Sequence, residues 1–164
     1  LLHDWPASTV REQSEVTPLG ARRFTGTPVG YYELDPNRMY VRYHSHSWDE
    51  SMPYTMFFNW ARKGTPTGLA IHAAVGADVY RLGHRASAGC IHLSLENART
   101  LYSLVKSDYR GPAPRFAYDA KTQSTSNEGR LMRDTQGRVR MADGYKVLVF
   151  IEDRGGQRLV AGAF

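Results

Sequence analysis

The chain of 164 residues has one cysteine, Cys90, so it cannot form an internal disulfide. It has no apolar run long enough to span a bilayer as a helix. It also has no basic run interleaved with aromatics. The 21 Lys and Arg outnumber the 16 Asp and Glu by only five, and they are scattered, as at Arg22-Arg23, Arg62-Lys63, Arg81 and Arg85. Such scatter argues against a nucleic-acid partner. No internal repeat is evident. What is present is a 41% hydrophobic content, enough for a real core, and the expectation is one domain over residues 1–164.

Strand and turn signals dominate. Residues 1–23 lack a clear period and are expected to be an N-terminal arm or a first strand. Thr25-Gly26-Thr27-Pro28-Val29-Gly30 is turn chemistry, because proline fixes φ and glycine tolerates positive φ. Tyr31–Leu34 and Met39–Tyr43 read as two strands separated by an Asp35-Pro36-Asn37 turn, and Thr55–Asn59 as another strand. Leu69–Ala73 is a short apolar run that contains His72. Ser94 is a good helix N-cap, after which Leu95, Ala98, Leu101, Tyr102 and Val105 fall on one helical face. Residues 111–143, rich in Pro, Gly, Ser and Thr, are expected to be a long loop insertion able to act as a lid. Tyr145–Ile151 reads as a buried strand, with one more near Leu159-Val160.

The segment richest in chemistry is Ile71–Leu93. Thiol acyl transfer needs a sulfur nucleophile, a base that takes and returns its proton, and donors for the oxyanion. Cys90 offers the sulfur, and Gly89 lets the backbone approach a substrate carbonyl closely. His72, His84 and His92 are candidate bases, since imidazole titrates near neutral pH. Each also has a plainer reading. His72 on its own suits a hydrogen-bonded core histidine, and a free cysteine is often a small buried hydrophobe. His44-Ser45-His46 has metal-compatible spacing, but without a third ligand in sight it reads as surface or cleft rim.

The order of these pieces resembles the L,D-transpeptidase catalytic domain of the YkuD type. The resemblance rests on Thr27-Pro28-Val29-Gly30, Met52-Pro53-Tyr54, Gly68-Leu69-Ala70-Ile71-His72, Leu82-Gly83, Ser87-Ala88-Gly89-Cys90 and the helix capped by Ser94. It implies a mostly β fold with a few helices, a β-sandwich with one helix after the cysteine. It implies Cys90 as nucleophile and His72 as base, with the Ala73 carbonyl orienting the imidazole. The amides of Gly89 and Cys90 would form the oxyanion hole, Ser87 would brace the motif, and Tyr54, Ala88 and His92 would line the substrate cleft. The implied partners are peptidoglycan stem peptides, joined through a thioester, with no metal, ATP or other cofactor. A carbapenem is expected to acylate the thiol. The implied place of action is the periplasm or cell envelope, any export signal or anchor being expected outside this segment.

Two positions depart from the family pattern. Ala88 stands where the family usually has His, and His92 where it has Arg or Asn. These mark a divergent subgroup and leave open which bond is formed: diaminopimelate to diaminopimelate, or first stem residue to diaminopimelate. The alternatives are an L,D-carboxypeptidase or amidase on the same fold, with water as acceptor, and a non-catalytic wall-binding domain with an inert Cys90.

Overall fold

Gly30–Tyr40 forms one strand of 11 residues, where the sequence suggests two strands and a turn. The Asp35-Pro36-Asn37 chemistry is absorbed within the strand: its register against the neighbouring strand shifts between Leu34 and Met39, and Asp35 Oδ1 accepts from the Asn37 amide at 2.9 Å. A bulge is a position where a strand tolerates proline. The computed structural model describes residues 3–153 and 160–161.

The long strand lies in a five-stranded sheet whose order is Ile91–Leu93, Ala70–Ala73, Thr55–Phe58, Gly30–Tyr40 and Leu148–Ile151. The first two strands run parallel and the remaining neighbours antiparallel. Side chains alternate across a strand, so each strand feeds two faces. Ile71, Ala73 and Leu93 enter the main core with Tyr32, Phe58, Ala98, Tyr102 and Val105. Ala70 packs on the other face with Met52 and Phe57.

The helix Leu95–Asp108 follows directly. Ser94 Oγ accepts from the Asn97 amide at 3.2 Å, and Ala98, Tyr102 and Val105 are buried. Each large apolar side chain so covered is worth about 1.5–3 kcal/mol. Leu95, expected on that face, is exposed. No helix among the described residues is long and apolar enough to cross a membrane.

The first residues are anchored by pairing. Thr9–Val10 runs parallel to Arg85–Ser87, and Ser8 and His92 exchange two main-chain hydrogen bonds, each 2.9 Å. Trp5–Pro6 pairs with Val160–Ala161, the strand expected near the chain end; Leu159 lies outside the described residues.

Residues 111–143 differ from the expected loop. Arg110–Pro114 pairs antiparallel with Met141–Tyr145, and Tyr118–Asp119 pairs with Ser124–Thr125. Alternating side chains and main-chain bonding thus order a segment whose composition suggested a loop. Its contacts run to the sheet region around Glu33 and Trp60: the Trp60 indole donates to Thr125 O at 3.0 Å, and the Tyr31 amide to Asn127 O at 2.9 Å. Arg115 approaches Glu33 to 4.0 Å. Tyr145–Ile151, expected as one buried strand, is two pieces that break at Lys146 and Val147. Leu148 and Phe150 are exposed because Leu148–Ile151 pairs at the end of the five-stranded order and only one of its faces meets the core.

Candidate active site

The parallel pair Ala70–Ala73 and Ile91–Leu93 builds the site. Its register sets Ile71 opposite Ile91 and His72 opposite His92. By strand alternation, His72 and His92 share the face that Ala70 presents. The two rings lie 4.4 Å apart, tilted by 52°.

His72 is buried, and its Nδ1 lies 2.9 Å from the Ala73 carbonyl oxygen. A carbonyl only accepts, so Nδ1 carries the hydrogen and Nε2 is left with the basic lone pair. Burial, with repulsion from His92 next, pushes the His72 pKa down to about 3; the Ala73 carbonyl and Asp78 oppose this. The ring is a neutral imidazole at physiological pH.

Cys90 comes immediately before the Ile91–Leu93 strand. It is half-buried and packs on the Met52, Phe57 and Ala70 cluster, which Tyr43 also covers. Its Sγ contacts the Gly68 carbonyl oxygen at 3.5 Å. Burial of the thiol, despite the part of the residue open to solvent, pushes its pKa up to about 12; the Ala70 amide offsets this slightly and the Glu50 carboxylate adds to it. Cys90 is thus a neutral thiol on the face that carries His72. It stands two positions before His92, about 6.6 Å along an extended chain. Its hydrogen bond in this structure goes to Gly68 and not to His72.

Gly89 shapes the turn before the thiol. Its φ is +138°, and a Cβ there would lie 2.9 Å from Leu69 Cδ2. Both conditions favour glycine. The Gly89 amide donates to Ser87 Oγ at 3.2 Å, and the Gly89 carbonyl accepts from the Thr27 hydroxyl. The buried Ser87 also receives the Arg11 amide on its carbonyl at 3.0 Å, while the Arg11 guanidinium donates to the Ala86 carbonyl. The motif is therefore gripped from both sides by residues far away in sequence. In the sequence Thr27 stands out as part of a turn and of the family motif, and Arg11 carries no signal, since no local spacing links either to residues 86–89.

A glycine turn clamped before a cysteine, and an imidazole fixed by its neighbour's carbonyl, thus lie on one face of the sheet. A family model, YkuD, L,D-transpeptidase catalytic domain, matches residues 1–149. The chain belongs to this family. A solved structure, that of the L,D-transpeptidase (residues 123–326) from Xylanimonas cellulosilytica, is similar with 20% identity and a TM-score of 0.42. The match covers 59% of this chain and 41% of that one. No curated protein matches the sequence.

The other expected site residues of this YkuD domain are spread out. Tyr54 is half-buried against the main core, its ring 5.8 Å from that of Tyr102 in the helix. It therefore packs with the core cluster, while Tyr43 is the tyrosine on the Cys90 cluster. Ala88 is half-buried in the turn. His92 is 3% exposed, so it is an interior group rather than an open cleft wall. Burial lowers its pKa to about 4, with the Arg11 charge adding to the effect. His84 is exposed in a loop. His44 lies in a hairpin with Glu50–Ser51 and contacts Asp49 at 3.0 Å.

Proposed function

We propose that the protein is a cysteine-dependent peptidoglycan L,D-transpeptidase, with Cys90 as nucleophile and His72 as base. The observation that carries this reading is the His72 imidazole, with Nδ1 tied to the Ala73 carbonyl, on the same sheet face as the one thiol in the chain. Family membership supplies the reaction class.

The chemistry proceeds from two neutral groups. The thiol leaves its weak contact with Gly68, and its proton passes to His72 Nε2 as sulfur attacks the carbonyl of an L-centre to D-centre stem bond. The C–N bond breaks, and the departing D-amino acid takes that proton on its amine. An acceptor amine then attacks the thioester, yields a proton to His72, and the C–S bond breaks with return of that proton to sulfur. The Cys90 and Gly89 amides would hold the oxyanion, the latter released from Ser87 Oγ. The bond so made is a diaminopimelate to diaminopimelate link or a first-residue to diaminopimelate link. The place of action is the periplasm or cell envelope, where that substrate lies.

A second reading is a non-catalytic wall-binding domain. It is favoured by the high pKa of the thiol and by its bond to Gly68. Incubation of wild type and Cys90→Ala with purified muropeptides, followed by mass spectrometry, separates the readings. New dimers present only with wild type support transfer, and their fragmentation locates the bond. Shortened monomers without dimers indicate hydrolysis. Muropeptides left unchanged by wild type would sink the enzymatic reading.

A further inference from the structure

We propose that Glu50, Asp78 and His92 form a binding site for a divalent transition-metal cation of the zinc class. The family resemblance implies no metal, and no local spacing links residues 50, 78 and 92, which belong to three separate segments: the Glu50–Ser51 hairpin strand, the short 3-10 helix Gly76–Arg81 and the Ile91–Leu93 strand. Folding brings one ligand atom from each within 4.8 Å of the others. The three groups lie beside the Cys90 and His72 pair without including either.

The second observation is the imidazole itself. His92 is 3% exposed, and its Nδ1 has no hydrogen-bond partner among the described residues. That nitrogen lies 3.8 Å from Asp78 Oδ2, close to the carboxylate but beyond hydrogen-bond length. A buried polar atom left unpaired costs about 1–3 kcal/mol, so an interior nitrogen with two carboxylates this close to it suits a cation between them. Asp78 already uses its other oxygen, Oδ1, toward Arg81 at 3.6 Å, which leaves Oδ2 for a metal. Arg11 is another nearby positive charge, and its guanidinium is engaged by both oxygens of Glu15 and by the Ala86 carbonyl.

The donor set names the cation. One imidazole nitrogen and two carboxylates, with no thiolate, suit zinc or a similar first-row ion better than calcium or magnesium, which prefer oxygen alone. Three protein ligands leave a fourth position open. A bound ion would tie the three segments together and fix the His92 ring, and through their 4.4 Å contact the ring of His72. Its part would be to position these groups; the thioester chemistry proceeds on Cys90 and His72. The site stands independently of the acyl-transfer reading.

The test is calorimetric titration of Zn2+ into the chelator-treated full chain in a Cys90→Ser background, so that the thiol is not a ligand. One ion per chain is expected, with binding weakened at least about tenfold in both Glu50→Gln and Asp78→Asn, since even outer-shell losses cost that much. His44→Ala and His46→Ala are expected to bind as the parent does. The half-exposed carboxylates make the amide variants tolerable to the fold, and circular dichroism verifies them; His92→Gln is a third variant, used where it folds. No binding by the parent, unchanged binding in either amide variant, or loss of the one ion in the His44 and His46 variants would overturn the proposal.

Discussion

The Thr27 hydroxyl donates to the Gly89 carbonyl across 62 positions of sequence. A turn near the start of the long strand thereby holds the residue next to the thiol. Thr27→Val keeps the shape and removes the donor. It is expected to destabilise the protein by about 1–3 kcal/mol, because the buried carbonyl loses its partner. Urea unfolding measures this, and Thr27→Ser, which restores a hydroxyl, should recover most of the loss. Equal stability of the valine variant and wild type would show that the contact contributes nothing.

Gly89→Ala should cost about 1–3 kcal/mol from backbone strain alone, since φ is +138° there. The new methyl would also meet Leu69 Cδ2 at 2.9 Å. The double variant Gly89→Ala with Leu69→Ala separates the two effects: removal of the leucine relieves the clash and leaves the strain. Denaturation midpoints of the two single variants and the double variant form the cycle.

Glu33 predicts a pH dependence of stability. Its Oε1 is buried without a hydrogen bond among the described residues, while Oε2 accepts from Asn59 Nδ2 at 3.1 Å. Burial raises its pKa, against the opposing charge of Arg115. A raised carboxyl pKa means that the folded state holds its proton more tightly than the unfolded chain does. Glu33 therefore makes stability fall as pH rises from the ordinary carboxylate range through its raised folded value, and the penalty is constant above that. In Glu33→Gln this contribution disappears. Chemical denaturation over that pH range should give a shallower decline in the variant, and parallel curves would contradict the assignment.

A carbapenem should add its mass to the protein through Cys90, because attack by the thiol opens the strained ring. Intact mass spectrometry of wild type and Cys90→Ala checks this. Since the thiol is neutral at rest, His72→Gln should slow adduct formation by at least about a hundredfold, the lower range for general-base assistance. Adduct formation at the same rate in wild type and His72→Gln would show that the imidazole does not activate the sulfur.

The helix was legible in the sequence because its information is local: Ser94 caps it, and Ala98, Tyr102 and Val105 recur at helical spacing. The Thr55–Phe58 and Ala70–Ala73 strands were legible as short apolar runs. The long Gly30–Tyr40 strand was not, because Asp35-Pro36-Asn37 carries the same residues whether it turns the chain or bulges a strand. The order in Arg110–Pro114 and Met141–Tyr145 was hidden for a related reason. Its pairing joins segments about thirty residues apart, and a backbone ladder leaves little mark on composition.

By itself, the sequence determined the inventory of chemistry: one thiol, a histidine within an apolar strand, a glycine before the thiol, and a motif order that belongs to one family. Residue types and near spacing carry that much, since helix caps, strand alternation and turns depend on neighbours a few positions apart. Only the tertiary structure decided which groups meet. The parallel register sets His72 against His92, Thr27 reaches Gly89, and Glu50 and Asp78 gather at a buried nitrogen. Those contacts join separate segments, and their geometry is fixed by how the sheet pairs and what its faces bury, which no local spacing records.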